Sequence, residues 1–315
     1  MILSPHFRNR IAARPALWLS AAYLGITFPL LAADTVRSTA GVVALHAVLL
    51  VITLLLAWSG ARFPRGEDLE ALLPLALMPA LYAELPWLIK AVGRPLQDPL
   101  VIGWEQRVFA GEPARDLASA HPAALLSNVL HLCYLCYYLL IFVPPALLFL
   151  RRRRRELVRT VFALTAVFAA CYVVFIAFPV EGPRYLWPPG PAPHDQPVRA
   201  LTLRILAAGS SRGTAFPSSH VAVAVVQTVY ALHYQRWLGY ACLALTIGIG
   251  TGAVYGGFHY AVDVLAGAAY GLAVAVLVWR VPLAARMGAV RTEAALGAVA
   301  GEAAIVPASR MTHES

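Results

Sequence analysis

Two histidines and a carboxylate stand out by type and spacing. His220 closes the block Phe216-Pro217-Ser218-Ser219-His220, and His259 opens His259-Tyr260-Ala261-Val262-Asp263-Val264-Leu265-Ala266-Gly267. On a helix, His259 and Asp263 lie four residues apart on one face. A carboxylate there can hold one imidazole nitrogen and leave the other free to attack an electrophile. The first block adds a second histidine, two hydroxyls and a helix start whose N–H groups suit an anion. Nucleophile, acid/base and oxyanion cradle are together what covalent phosphoryl transfer needs.

The elements that must carry these groups are membrane helices. The chain has 315 residues, 60% hydrophobic and 13% charged, with a mean hydropathy of +0.68. Soluble domains carry nearly twice that charge. Eight apolar runs reach the length of about 20 residues that a bilayer requires, at roughly 16–33, 40–58, 70–90, 123–150, 157–179, 216–234, 237–256 and 259–281. Each block opens one of the last runs. The third run holds Pro74, Pro79, Glu84, Pro86 and Lys90, and is expected to be broken or partly interfacial. From Asp98 to Ala120, Trp104, Val108 and Phe109 alternate with Glu105, Arg107 and Asp116, which predicts an amphipathic helix on the membrane surface. Gly248, Gly252 and Gly256 recur at a spacing that allows close helix contact, and are read as bringing the two motif helices together.

The fold expected is therefore all-α, a polytopic membrane bundle of about eight transmembrane helices. Two N-terminal helices (1–68) precede a catalytic membrane domain (69–282), followed by a cytoplasmic tail (283–315). The apolar run after Arg8, Arg10 and Arg14 exceeds a signal-peptide core and is read as a retained first helix. An even number of spans puts both ends on one side. With that side cytoplasmic, sixteen of the 25 Lys and Arg residues fall inside, including the run Arg151 to Arg155. Both motif blocks then face outward, and a plasma (inner) membrane enzyme with a periplasmic or external site is expected. The net charge of +9 belongs to these loops and to anionic lipid heads, so nucleic acid is excluded as a partner. The four cysteines lie in apolar runs, and Cys133-x-x-Cys136 is read as packing. No cluster has metal-ligand spacing, so catalysis without metal or cofactor is expected.

Pro217-Ser218-x-His220 and His259-x-x-x-Asp263 resemble two blocks of the type-2 phosphatidic acid phosphatase/haloperoxidase superfamily, over roughly residues 100–282. Its members have a six-helix catalytic core. The resemblance implies His259 as nucleophile, Asp263 as its orienting carboxylate and His220 as general acid/base. Ser218, Ser219, Arg184 (in Glu181-Gly182-Pro183-Arg184) and Arg212 are the implied phosphate-binding residues. Two usual cations are absent: Ala177 stands in place of a Lys, and Ala253 in place of an Arg. Lys90 and Arg94 are candidates to replace one of them. Val254-Tyr255-x-x-x-His259-Tyr260 and Phe216-Pro217-Ser218 look closest to the inositol phosphorylceramide synthase-like branch, although Gly257 stands where bacterial relatives often have Arg. Hydrolysis of a lipid phosphate and transfer of a phospho-alcohol headgroup both stay open. The alternative is a non-catalytic lipid-phosphate binder or transporter. Oligomeric state is not legible. His46, His121 and His131 are read as structural or interfacial. Arg199 lies outside every block and takes no role.

Overall fold

The computed structural model describes residues 11–33, 40–59, 66–187, 196–281 and 283. The 283–315 tail beyond Leu283, most of the proline-rich 188–198 loop, and Arg8, Arg10, Arg37, Arg62 and Arg65 fall outside them. The helices run α1 (Pro15–Ala33), α2 (Ala40–Ser59), α3 (Gly66–Val92), α4 (Asp98–Phe109), α5 (Pro113–Ala120), α6 (Ala124–Leu135) and α7 (Tyr137–Leu150). They continue with α8 (Arg154–Ala177), α9 (Pro183–Leu186), α10 (Pro197–Gly209), α11 (Ser219–Tyr234), α12 (Arg236–Tyr255) and α13 (Ala261–Trp279). Among the described residues the only strand-like pairing is the bridge between Val180 and Thr214.

Among the described residues, six helices (α1, α2, α3, α8, α12 and α13) are long and apolar enough to cross a membrane. Taken as one span, α6 and α7 make a seventh, bent by 43°. The remaining apolar run is α11, whose 16 residues reach only about 24 Å. It sits inside the bundle against α7, α8, α12 and α13. Val221, Ala222, Val223, Ala224, Val226 and Tyr230 are buried there, so α11 packs against protein rather than lipid.

The bundle has two distinct ends. Arg153 donates to the Tyr234 carbonyl at 2.6 Å, and Arg159 to those of Trp279 and Val281 at 2.8 Å. The arginine run thus sits at the C-terminal ends of α11 and α13, and both motif blocks lie at the opposite end. Arg14 pairs with Glu70 at 3.0 Å, and Arg154 pairs with Asp68 at 2.9 Å. The starts of α1, α3 and α8 therefore share the basic end.

Four expectations need correction. The third run is one unbroken helix, α3, despite Pro74, Pro79 and Pro86. Each proline deprives the carbonyl four residues earlier of its helical donor. For Pro86 that carbonyl is Tyr82, and Ser211 Oγ donates to it at 3.3 Å; a neighbour's hydroxyl restores the lost bond. The fourth run, read as one span over 123–150, is two helices, α6 and α7, that meet at Cys136. The surface segment is two helices, α4 and α5. Finally, Gly248 and Gly252 face α6, where an added Cβ would lie 2.8 Å from Cys133 Sγ and 2.4 Å from the Leu130 carbonyl. The glycines that join the motif helices are Gly267 and Gly271. A Cβ there would lie 2.4 Å from the Ser218 carbonyl and 2.3 Å from that of Ala222.

Candidate active site

At the end opposite the arginine run, α11 and α13 begin side by side. Ser218 N donates to the Asp263 carbonyl at 3.0 Å, tying one block to the other. The His220 and His259 ring centroids come within 5.7 Å of each other. Residues distant in sequence thus share one site, and Asp263, Ser218 and Ser219 are in it.

His259 Nδ1 donates to the Ala215 carbonyl at 2.9 Å and lies 3.5 Å from Asp263 Oδ2. The backbone carbonyl is the nearer acceptor, so a peptide group fixes the tautomer with Asp263 behind it. Nε2 then carries the lone pair. Asp263 Oδ2 also accepts from Tyr260 N at 2.9 Å, which ties down the start of α13. His220 is sandwiched by Tyr134 and Tyr137, at centroid distances of 4.8 and 4.3 Å. Its Nε2 lies 3.2 Å from Tyr134 Oη, and Nδ1 is without a hydrogen-bond partner.

Helix α4 organises this end with two buried carboxylates, Asp98 and Glu105, the second of which the amphipathic pattern placed on the polar face. Glu105 accepts from Ala261 N at 2.9 Å and Val262 N at 2.8 Å. These are the orphan donors of the first turn of α13. Burial raises the Glu105 carboxyl above its ordinary pKa, opposed by those two N–H groups. Asp98 accepts from Glu181 N and Gly182 N at 2.9 Å each, and from Tyr260 Oη at 3.1 Å. Gly182 sits at φ +93°, where a Cβ would be strained. The turn continues through Ala215 N to the Val180 carbonyl at 2.8 Å. Asp98 thus reaches His259 through Val180 and Ala215. The two helix starts differ as a result: carboxylates occupy that of α13, whereas at α11 the Ser218 hydroxyl makes only a long 3.5 Å cap to Val221 N.

Arg184 donates to Tyr185 Oη and Ser210 Oγ and lies over the Tyr185 ring. It lines a cavity of about 580 Å³ with Arg115, His131, Gln196, Arg199 and Phe258, the neighbour of His259. Arg212 is mostly exposed and bound through two nitrogens to Glu181, at 2.6 and 2.9 Å. That carboxylate takes two of its three nitrogens and offsets its charge. Lys90, in the last turn of α3, and Arg94, two residues beyond its end, do not line the cavity. Ala177 is exposed, whereas Ala253 is fully buried and Gly257 has φ +67°. An arginine at either of the last two positions requires local rearrangement. Arg199, given no role in the sequence, shares the cavity wall with Arg184, and burial pulls its guanidinium below its ordinary pKa. No group of three or more potential metal ligands forms among the described residues.

Asp98, Glu105, Tyr134, His131 and Arg199 were missed as site residues. The signal for the two acids was present: Asp98, Val101 and Glu105 share one face of α4, and that face is buried. The model of one protein family, described as the PAP2 superfamily, matches residues 101–277. No curated protein and no solved structure matches the chain.

Proposed function

The chain belongs to the PAP2 superfamily, and from that premise we propose that it is an integral membrane lipid phosphatase or phosphotransferase acting through a phosphohistidine. The observation that carries the reading is the pairing of His220 with His259, with His259 Nδ1 already held by Ala215. The Nε2 lone pair attacks phosphorus in line and the bond to the leaving alkoxide breaks. His220 gives that alkoxide a proton, then takes one from the incoming hydroxyl, whose oxygen displaces His259. Arg184 and the start of α11, with Ser218 and Ser219, receive the phosphate oxygens. Water as acceptor gives hydrolysis; a lipid or polyol hydroxyl gives headgroup transfer of the kind expected from the inositolphosphotransferase-like resemblance.

The site faces outward and both termini are cytoplasmic. Supporting this, the arginine run and the site occupy opposite ends of the bundle, and basic loops stay inside. Purified protein assayed against a lipid-phosphate panel, with and without alcohol acceptors, tests the chemistry. Release of inorganic phosphate or a transferred headgroup, lost in His259→Ala, is expected. Binding without turnover by the wild type would establish the non-catalytic alternative. In a background without native cysteines, Leu186→Cys should react with an impermeant thiol reagent on intact cells and Arg152→Cys should not; the reverse pattern overturns the orientation.

A further inference from the structure

Among the described residues, the histidines in contact with a carboxylate are His46 and His259. His220 has no such partner. As general acid/base it must hold one ring nitrogen still while the other exchanges a proton. Its side chain makes one hydrogen bond among the described residues, between Nε2 and Tyr134 Oη at 3.2 Å, and its Nδ1 has no partner. A buried polar atom left unpaired costs about 1–3 kcal/mol, and a substrate oxygen reaching Nδ1 would recover that cost.

Packing holds Tyr134 in place for this contact. It stands in the last turn of α6 and Tyr137 opens α7, so the 43° bend between the two helices sets both rings against the imidazole. The Tyr134 ring also packs on Phe258 at a centroid distance of 4.8 Å, one residue from His259. Gly252 lets α12 come this close, since a Cβ there would lie 3.6 Å from that of Tyr134 and 2.4 Å from the Leu130 carbonyl. Buried on all these sides, the phenol has little freedom to move. Being neutral, it orients an imidazole without setting a second negative charge beside a phosphate, as a carboxylate would. Both rings also lie within the roughly 6 Å over which an aromatic face stabilises a cation, here the imidazolium.

We propose that Tyr134 is the positioning residue of the general acid/base: its Oη accepts from His220 Nε2–H throughout, so that Nδ1 is the nitrogen that works. This rests on the phosphotransfer reading above. The imidazolium passes its Nδ1 proton to the leaving alkoxide as the P–O bond breaks. The neutral ring, still protonated on Nε2, then takes a proton on Nδ1 from the incoming hydroxyl, whose oxygen bonds phosphorus as the bond to His259 breaks. Tyr134→Phe keeps the ring and removes the acceptor. An alkoxide needs a proton to leave and p-nitrophenolate does not. In Tyr134→Phe, kcat/KM should therefore fall about tenfold or more for phosphatidate and stay within about threefold of wild type for p-nitrophenyl phosphate. Tyr137→Phe, whose hydroxyl does not bond the imidazole, should lose clearly less on phosphatidate. Equal losses on both esters, no loss on either, or an equal loss in Tyr137→Phe overturns the proposal; abolished turnover in His259→Ala would still leave phosphotransfer standing. Imidazole nitrogen NMR of His259→Ala carrying labelled histidine gives an answer without turnover, the His220 signals being those lost on adding His220→Asn. The Nε2–H tautomer is expected, turning into a mixture of tautomers on adding Tyr134→Phe. An Nδ1–H tautomer in the parent, or no response to Tyr134→Phe, overturns the proposal.

Discussion

Among the described residues there are two histidine–carboxylate pairs, and they differ in what is left over. In the N-terminal region, His46 Nδ1 meets Glu84 Oε2 at 2.6 Å, and Nε2 lies 3.0 Å from the Leu24 carbonyl and 3.2 Å from Thr27 Oγ1. Both ring nitrogens are committed and the pair is almost wholly buried. At the other pair, one nitrogen of His259 is held and a second histidine stands 5.7 Å away by ring centroid. The closer, better-buried pair ties α2 to α3. The looser one, beside a cavity, keeps a lone pair for chemistry. Proximity of a carboxylate does not separate the two pairs; the nitrogen left uncommitted at His259 does.

The comparison breaks most sharply at His259. Replacing it with alanine should lower kcat/KM at least 10⁴-fold, about 5 kcal/mol or more of transition-state stabilisation, with thermal stability near wild type. Retained turnover would remove the distinction between the pairs. Glu84→Ala should do the opposite, costing about 3–5 kcal/mol of stability because it strands a buried polar partner. Activity per folded molecule should stay within twofold of wild type, measured after thermal selection of the folded fraction. Gly267→Ala sharpens the contrast by geometry. A methyl placed 2.4 Å from the Ser218 carbonyl must push α11 from α13, at about 1–3 kcal/mol. Both the Tm and the rate should fall, since His220 rides on α11 and His259 lies just ahead of α13; a lower Tm with an unchanged rate would show that their spacing is not critical. The smallest effect is expected for Arg184→Lys. It keeps the charge and loses the planar fork, for about a tenfold drop in kcat/KM, near 1.4 kcal/mol. A rate equal to wild type would show that Arg184 does not grip phosphate.

What was legible followed from locality. His259 and Asp263, four residues apart, do come within 3.5 Å, although His259 precedes α13 and does not share a helical face with Asp263. The eight apolar runs all became helices because hydrophobic length is written consecutively. His46 and Glu84 lie 38 residues apart, and nothing in either neighbourhood announces the other. Glu105 was misassigned because charge in an amphipathic pattern reads as solvent-facing, whereas here the charged face, Asp98 included, points inward onto loop amides. Arg199 sits in no motif and becomes visible only when α10 folds against α6. The prolines of α3 suggested a break because the hydroxyl that repairs one of them, Ser211, is 129 residues away from Tyr82.

Helix α4 also works as a gauge. Asp98 holds the turn that carries Arg184, and Glu105 holds the start of α13 next to His259. Seven residues separate the two acids, two turns of about 5.4 Å each. The distance from that turn to the start of α13 is therefore metered by helical pitch and not by loop length. One residue inserted between them would swing one carboxylate about 100° around the axis and release one of its two grips. Seven inserted residues would restore the angle but overshoot the span. A change of loop length at this end leaves that span intact; a change in the interval from Asp98 to Glu105 does not.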